Sequence, residues 1–185
     1  MSGRTLGLVA CSAGGIEDLR THLIEPMQAE GWTVAVTVTP TAGTWLRASG
    51  EWDKIEAVTG FPVRDRPRLP GEESPHPAVN CYAVVPATAS TVARLALGIS
   101  DNQALTSVNE AIGNGQLPIV VFPRVNAAHA RHPAWGQHIA ALSDAGVHLV
   151  YGDDVWPLHE PRSEPNRSLP WEAIRNAIKQ ARELN

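Results

Sequence analysis

The chain is poor in the residues that would tie it to a disulfide framework, a membrane or a nucleic acid. It has only two cysteines in 185 residues, Cys11 and Cys81. Each sits in an apolar run, where a thiol acts as a small hydrophobe, which argues against a disulfide or a structural zinc. No apolar stretch approaches the ~20 residues a bilayer span needs. Met1-Ser2-Gly3-Arg4 leads straight into a short strand-like run instead of a signal peptide, so the expectation is a cytoplasmic protein with no membrane partner. Basic residues are also scarce: 15 Lys and Arg against 19 Asp and Glu leave a net charge of −4, with no basic stripe to suit a nucleic acid. No G-x-S-x-G elbow is present to build a hydrolase. His129, His132, His138 and His148 have no carboxylate or cysteine at ligand spacing, so no metal site is expected.

What the chain does have is alternation. A short apolar run, Leu6 to Cys11, stops at Ser12-Ala13-Gly14-Gly15, and Ile16, Leu19, Leu23 and Met27 then follow helical spacing. Trp32 to Thr39 alternates with β-branched residues and closes in Pro40-Thr41-Ala42-Gly43 ahead of Trp45 and Leu46. Cys81 to Val85 and Ile119 to Phe122 are continuous apolar strands ending at Pro86 and Pro123. Each leads to a helical face, through Val92 and Leu95 in one case and Trp135, Ile139 and Leu142 in the other. Val147 to Tyr151 reads as a last strand, and Trp171, Ile174, Ile178 and Ala181 share one face of a C-terminal helix.

Proline and charge gather between Phe61 and Pro77, and polar residues between Gly152 and Pro170. The chain is expected to be one domain over 1–185 with irregular segments at 65–80 and 152–170. Strands alternating with helices imply a Rossmann-like, flavodoxin-like α/β fold: a parallel sheet with helices on both faces, in three α/β/α layers. Ligands of such sheets gather at the carboxyl ends of the strands. Four turns fall there, at 12–15, 39–43, 87–91 and 123–127, three with hydroxyl side chains and the last with Asn126. Such turns suit a phosphate, which the free N–H groups and positive dipole of a helix start attract. The plainer alternative is that each polar side chain caps its own helix.

The segment from Pro86 through Asn102, P-A-T-A-S-T-V-A-R-L-A-L-G-I-S-D-N, resembles the signature of the homo-oligomeric flavin-containing cysteine decarboxylases, a P-A-S-A-N-T run followed by a helix and G-I-A-D-N. Ser12-Ala13-Gly14, Thr39-Pro40-Thr41-Ala42 with Trp45, and Pro123-Arg124-Val125-Asn126 with His132-Pro133 match further family segments in order. The resemblance covers most of residues 5–151. It implies FMN as cofactor, bound between the subunits of a trimer or an assembly of trimers. Ser12, Ala13, Gly14, Thr39, Thr41, Thr88, Ser90 and Thr91 would then line the phosphate and ribityl chain. Asn126 would act on a small or peptidyl substrate in an oxidative decarboxylation, a lyase reaction.

Where the family carries a histidine ahead of its P-A-S-A-N-T strand, this chain has Glu72, and His76 is the candidate four residues later. Ser90 stands for the family asparagine and Val125 for its methionine. The expectation is an FMN-binding flavoprotein resembling the cysteine decarboxylases, an oxidative decarboxylase or a related flavin-dependent enzyme, with the cofactor positions kept better than the catalytic ones. Two alternatives stand beside it: a catalytically silent FMN-binding subunit, and a protein resembling the flavin prenyltransferases, which share the fold. The last would need basic residues for a second phosphate, and Arg124 is the one placed at a strand end.

Overall fold

The computed structural model describes residues 3–164 and 167–183. Five parallel strands form one sheet in the order β2-β1-β3-β4-β5, with β1 Arg4–Ala10, β2 Trp32–Val38, β3 Cys81–Ala87, β4 Ile119–Pro123 and β5 His148–Leu149. The chain reverses its direction of travel across the sheet between β1 and β3, which neighbour each other in register from Leu6 against Cys81 to Val9 against Val84. That reversal leaves a crevice at the carboxyl ends of these two strands, because the segments leaving them go to opposite faces.

Period-two alternation divides the strands between two cores. Leu6, Leu8 and Ala10 of β1 and Val34, Val36 and Val38 of β2 point to one face, where Leu19, Leu23 and Met27 meet them. Val9, Cys11, Val84 and Val121 point to the other, under Val92, Leu95, Leu105 and Leu142. The first face carries a continuous helical segment, Ile16–Asp18, Arg20–Ile24 and α1 Glu25–Ala29, together with α2 Pro40–Ser49, α3 Glu51–Thr59 and α8 Trp171–Glu183. The second carries α4 Ala89–Ala96, α5 Gln103–Asn114 and α7 Trp135–Asp144, while the single turn α6 Ala127–Ala130 follows β4. This is the three-layer α/β/α, flavodoxin-like arrangement that the alternation implies.

In α8 the predicted face is the buried one: Trp171, Ile174, Ile178 and Ala181 are each at most 5% exposed. Truncating a residue such as Ile174 to alanine there costs about 2–5 kcal/mol, since the surrounding packing cannot close the cavity. The last strand is shorter than its apolar run. Only His148 and Leu149 are strand, and the chain leaves the ladder after the Val150 N–H bonds the Val121 carbonyl at 2.9 Å. α5 lies where the sequence analysis places no element. Its inner face is built from Ala104, Leu105, Val108 and Ala111, two of them alanines, so the apolar stripe is faint. Among the described residues no helix is long and apolar enough to cross a membrane.

Candidate functional site

Three backbone hydrogen bonds join the four polar turns into one crest. The Thr39 N–H donates to the Ala10 carbonyl at 3.0 Å, the Cys11 N–H to the Pro86 carbonyl at 3.1 Å, and the Arg124 N–H to the Ala87 carbonyl at 2.8 Å. The turns after β2, β1, β3 and β4 therefore lie side by side.

The side chains on this crest divide between internal duties and open ones. Thr88 caps α4, its Oγ1 accepting the Thr91 N–H at 3.2 Å. The Thr91 hydroxyl is buried and spends itself on Thr88 Oγ1 at 3.1 Å and Cys11 Sγ at 3.2 Å. Burial, partly offset by the Thr91 and Thr88 bonds, pushes the Cys11 thiol above its ordinary pKa, so it is a packed hydrophobe and not a nucleophile. Ser12 and Thr39 cap nothing: the helical segments that follow them start without a side-chain cap bond. Ser12 and Ala13 are half-buried, and Gly14, Thr41 and Ser90 are exposed. Gly15 is required by its surroundings. It has φ 98°, and a Cβ there would sit 2.5 Å from the Leu169 side chain.

Asn126 caps α6, its Oδ1 accepting the His129 N–H at 3.0 Å. Asn126 also lines a cavity of about 210 Å³, whose wall includes Arg124, Trp156, His159, Glu160, Glu164 and Arg167. The Arg167 guanidinium lies 3.5 Å from the centre of the Trp156 ring, and that of Arg124 5.3 Å from it. Burial and then the like charge of Arg167 lower the Arg124 pKa from its ordinary value, with Glu17 opposing. A guanidinium stays charged regardless. Arg124 Nε is fully buried with no hydrogen-bond partner among the described residues. An orphaned buried cation donor beside turns of small residues fits a group that brings its own negative charge, as a flavin mononucleotide phosphate does.

His76 lies elsewhere. Its Nε2 is 2.7 Å from the Pro62 carbonyl, which requires the proton on Nε2 and leaves Nδ1 as an acceptor. Burial lowers its pKa, the Pro62 bond opposes this, and Arg64 lowers it further. It borders a cavity of about 250 Å³ over Gly7 and Thr37, alongside Arg64, Tyr82 and Glu110. Gly7 is what lets Tyr82 cross β1 there, since a Cβ would fall 2.6 Å from the tyrosine ring.

The Flavoprotein family model matches residues 6–182. The chain belongs to the Flavoprotein family. It is 33% identical over 69 residues to a cysteine/cysteine sulfinic acid decarboxylase of an unknown prokaryotic organism, covering 37% of this chain and 18% of that protein. It is 28% identical over 149 residues to the coenzyme A biosynthesis bifunctional protein CoaBC of Escherichia coli (strain K12), covering 77% of this chain and 34% of the other. This Flavoprotein-family chain thus spans about a third or less of the length of these relatives. Among solved structures it resembles the FMN-dependent cysteine decarboxylase SpaF, with TM-score 0.67 and 27% identity over 97% of each chain.

Within the family fold, the crest brings together the turns bearing Ser12, Ala13, Gly14, Thr39, Thr41, Thr88, Ser90, Thr91 and Asn126, while His76 borders a separate cavity. The helix-cap alternative holds for Thr88 and Asn126 and fails for Ser12 and Thr39. Arg167 is the residue sequence reasoning missed; the one available signal was a tryptophan, Trp156, inside an otherwise polar loop. The four histidines weighed for metal, and the acidic residues of that loop, form no metal-holding cluster among the described residues. Glu160 pairs instead with Arg131 at 2.6 Å and 2.9 Å, and Glu164 with His159 at 3.2 Å.

Proposed function

We propose that the chain binds FMN along the crest and decarboxylates a substrate ending in a cysteine or related thiol acid. The observation that carries this reading is the set of three backbone bonds that line up the turns of β2, β1, β3 and β4. Family membership and the likeness to SpaF support it.

In this reading Ser12, Gly14, Thr39 and the backbone N–H groups of the β1 turn hold the phosphate end, and Thr88 and Ser90 lie along the ribityl chain. Thr91 acts from behind, fixing the turn through Thr88 and Cys11. The bound flavin supplies a two-electron acceptor, so that oxidation at the thiol-bearing carbon lets the neighbouring carboxylate leave as CO₂. Asn126, with its Oδ1 held by the α6 backbone, presents Nδ2 to that carboxylate and orients it. His76 offers Nδ1 as a proton acceptor beside the cavity over Gly7, Thr37 and Tyr82, to which a neighbouring subunit would bring a substrate. We propose a trimer as the assembly, supported by Trp45, Leu97 and Ile99, which are 46%, 64% and 44% exposed. A cytoplasmic location remains part of this proposal.

The test is direct. Purified protein given FMN and passed through a desalting column should stay yellow, and with a cysteine-ending peptide it should yield a product lighter by one CO₂ and two hydrogens. Colourless protein after desalting sinks the reading. Yellow protein inert towards many thiol acids would favour the silent FMN-binding subunit, an alternative supported by the separation of His76 from the crest cavities.

A further inference from the structure

The segment that leaves β1 is gripped along its length by α8, from the other end of the chain. Leu169, just ahead of α8 and 4% exposed, lies against Gly15 of the β1 turn, where an added Cβ would come within 2.5 Å of it. The Trp171 ring stacks on that of His22 at 5.7 Å and 25°. Arg175 donates to the His22 carbonyl at 2.6 Å, and Lys179 pairs with Glu30 at 3.1 Å. One helix therefore tracks the chain from the β1 turn to the approach of β2.

The gripped segment is poorly held by its own bonds. Between Ile16 and Ala29 it passes from a 3₁₀ turn through a π turn, Arg20–Ile24, into α1. Such changes of pitch mark hinges and functional sites. Pro26 has no N–H to offer the His22 carbonyl four residues earlier, and the α8 guanidinium answers that carbonyl. In the turn itself the backbone bonds are short-range: the Ala13 N–H reaches the Cys11 carbonyl at 2.8 Å, and the Ile16 N–H the Ala13 carbonyl at 3.2 Å. Gly15 sits at φ 98° between the Glu17 carboxylate, which takes its N–H at 2.9 Å, and the Leu169 side chain.

We propose that α8 is a strap that shapes the β1 turn by docking on it: the two open and close as one unit, and a flavin bound at the turn holds α8 shut. Opening α8 takes Leu169 off Gly15 and Trp171 and Arg175 off the π turn together, so the turn loses its outer wall and its hinge loses its brace. Native proteins open in cooperative units of this kind. A ligand that binds only the closed form lowers the open population by the factor 1 + [L]/Kd. The flavin arm rests on the proposed use of the crest, whereas the joint opening does not.

Amide hydrogen exchange on the full-length protein, read by mass spectrometry, tests both arms. Without flavin, peptides covering 12–24 and 171–183 should share one opening free energy, lower than that of β3. Ile178 is fully buried about 10 Å along the helix axis from Trp171. Ile178→Val removes one methyl group there, a cut small enough for the protein to fold, with circular dichroism as the check. It should speed exchange in α8 and in the turn by the same factor, about two- to tenfold. A speed-up confined to α8, or turn amides that exchange at a rate of their own, overturns the strap. FMN at about a hundred times its Kd should slow both sets about a hundredfold, and slowing of the turn without α8 also overturns it. Joint opening in a protein that takes up no FMN keeps the strap and sinks the flavin reading instead.

Discussion

Cys11 Sγ lies 3.2 Å from Thr91 Oγ1, so the end of β1 is tied through a side chain to the first turn of α4. The two strand-end turns expected to hold the cofactor are thereby fixed to each other from inside. Thr91→Val keeps the shape and removes the hydroxyl. Stability should fall by about 1 kcal/mol, the usual net worth of such a bond, with little change in flavin retention. Urea melts and the flavin absorbance of desalted protein measure the two effects.

Asn126→Asp separates capping from substrate contact. Aspartate caps as well as asparagine, so α6, stability and flavin retention should persist. With Asn126 in its proposed role, the change removes the Nδ2 donors and sets a second negative charge against the substrate carboxylate, so turnover should drop by at least about a hundredfold, about 2.7 kcal/mol in the barrier. Single-turnover assays on flavin-loaded protein check this.

His76 makes stability depend on pH in a defined direction. Its folded pKa lies below the ordinary 6.5, with burial the largest cause. The unfolded chain therefore takes up the proton first, and stability present above about pH 6.5 is lost as the pH falls through the folded value. Wild type should lose more melting temperature than His76→Gln between about pH 7.5 and pH 5.5, and equal losses would remove His76 as the source.

Both thiols should be inert in the folded protein. Burial pushes Cys81 up to about 12 and raises Cys11 as well. At about pH 8 little thiolate exists at either site, and the thiolate is the reactive form. A thiol reagent should label neither cysteine in the native state and both in denaturant.

The sheet could be read from the chain because its strands are short apolar runs separated by small and polar turns, and the fold then follows from the alternation; β3 runs on through Pro86 to Ala87, one step past the proline expected to close it. The crest could be read too, since every turn on it is local in sequence. α5 escaped notice because alanine fills half of its inner face, a pattern that packs well and stands out poorly. Thr91 looked like a ligand contact by its position in the motif, and only the approach of Cys11, 80 residues away, shows its hydroxyl to be engaged inside. Arg167 was invisible for the same reason: a cation over a tryptophan eleven residues earlier, and beside Arg124, is a relation of space.

The packing of α8 also bears on how the protein could be divided. Its Trp171, Ile174, Ile178 and Ala181 cover one face of the sheet, yet the segment leading to it passes over the surface through the exposed stretch from Glu160 to Glu164. A protease nick in that stretch leaves a detachable amphipathic peptide whose docking groove is made entirely by the remaining fragment. Two separately expressed pieces should then reassemble by complementation, with Arg167 delivered on the smaller one.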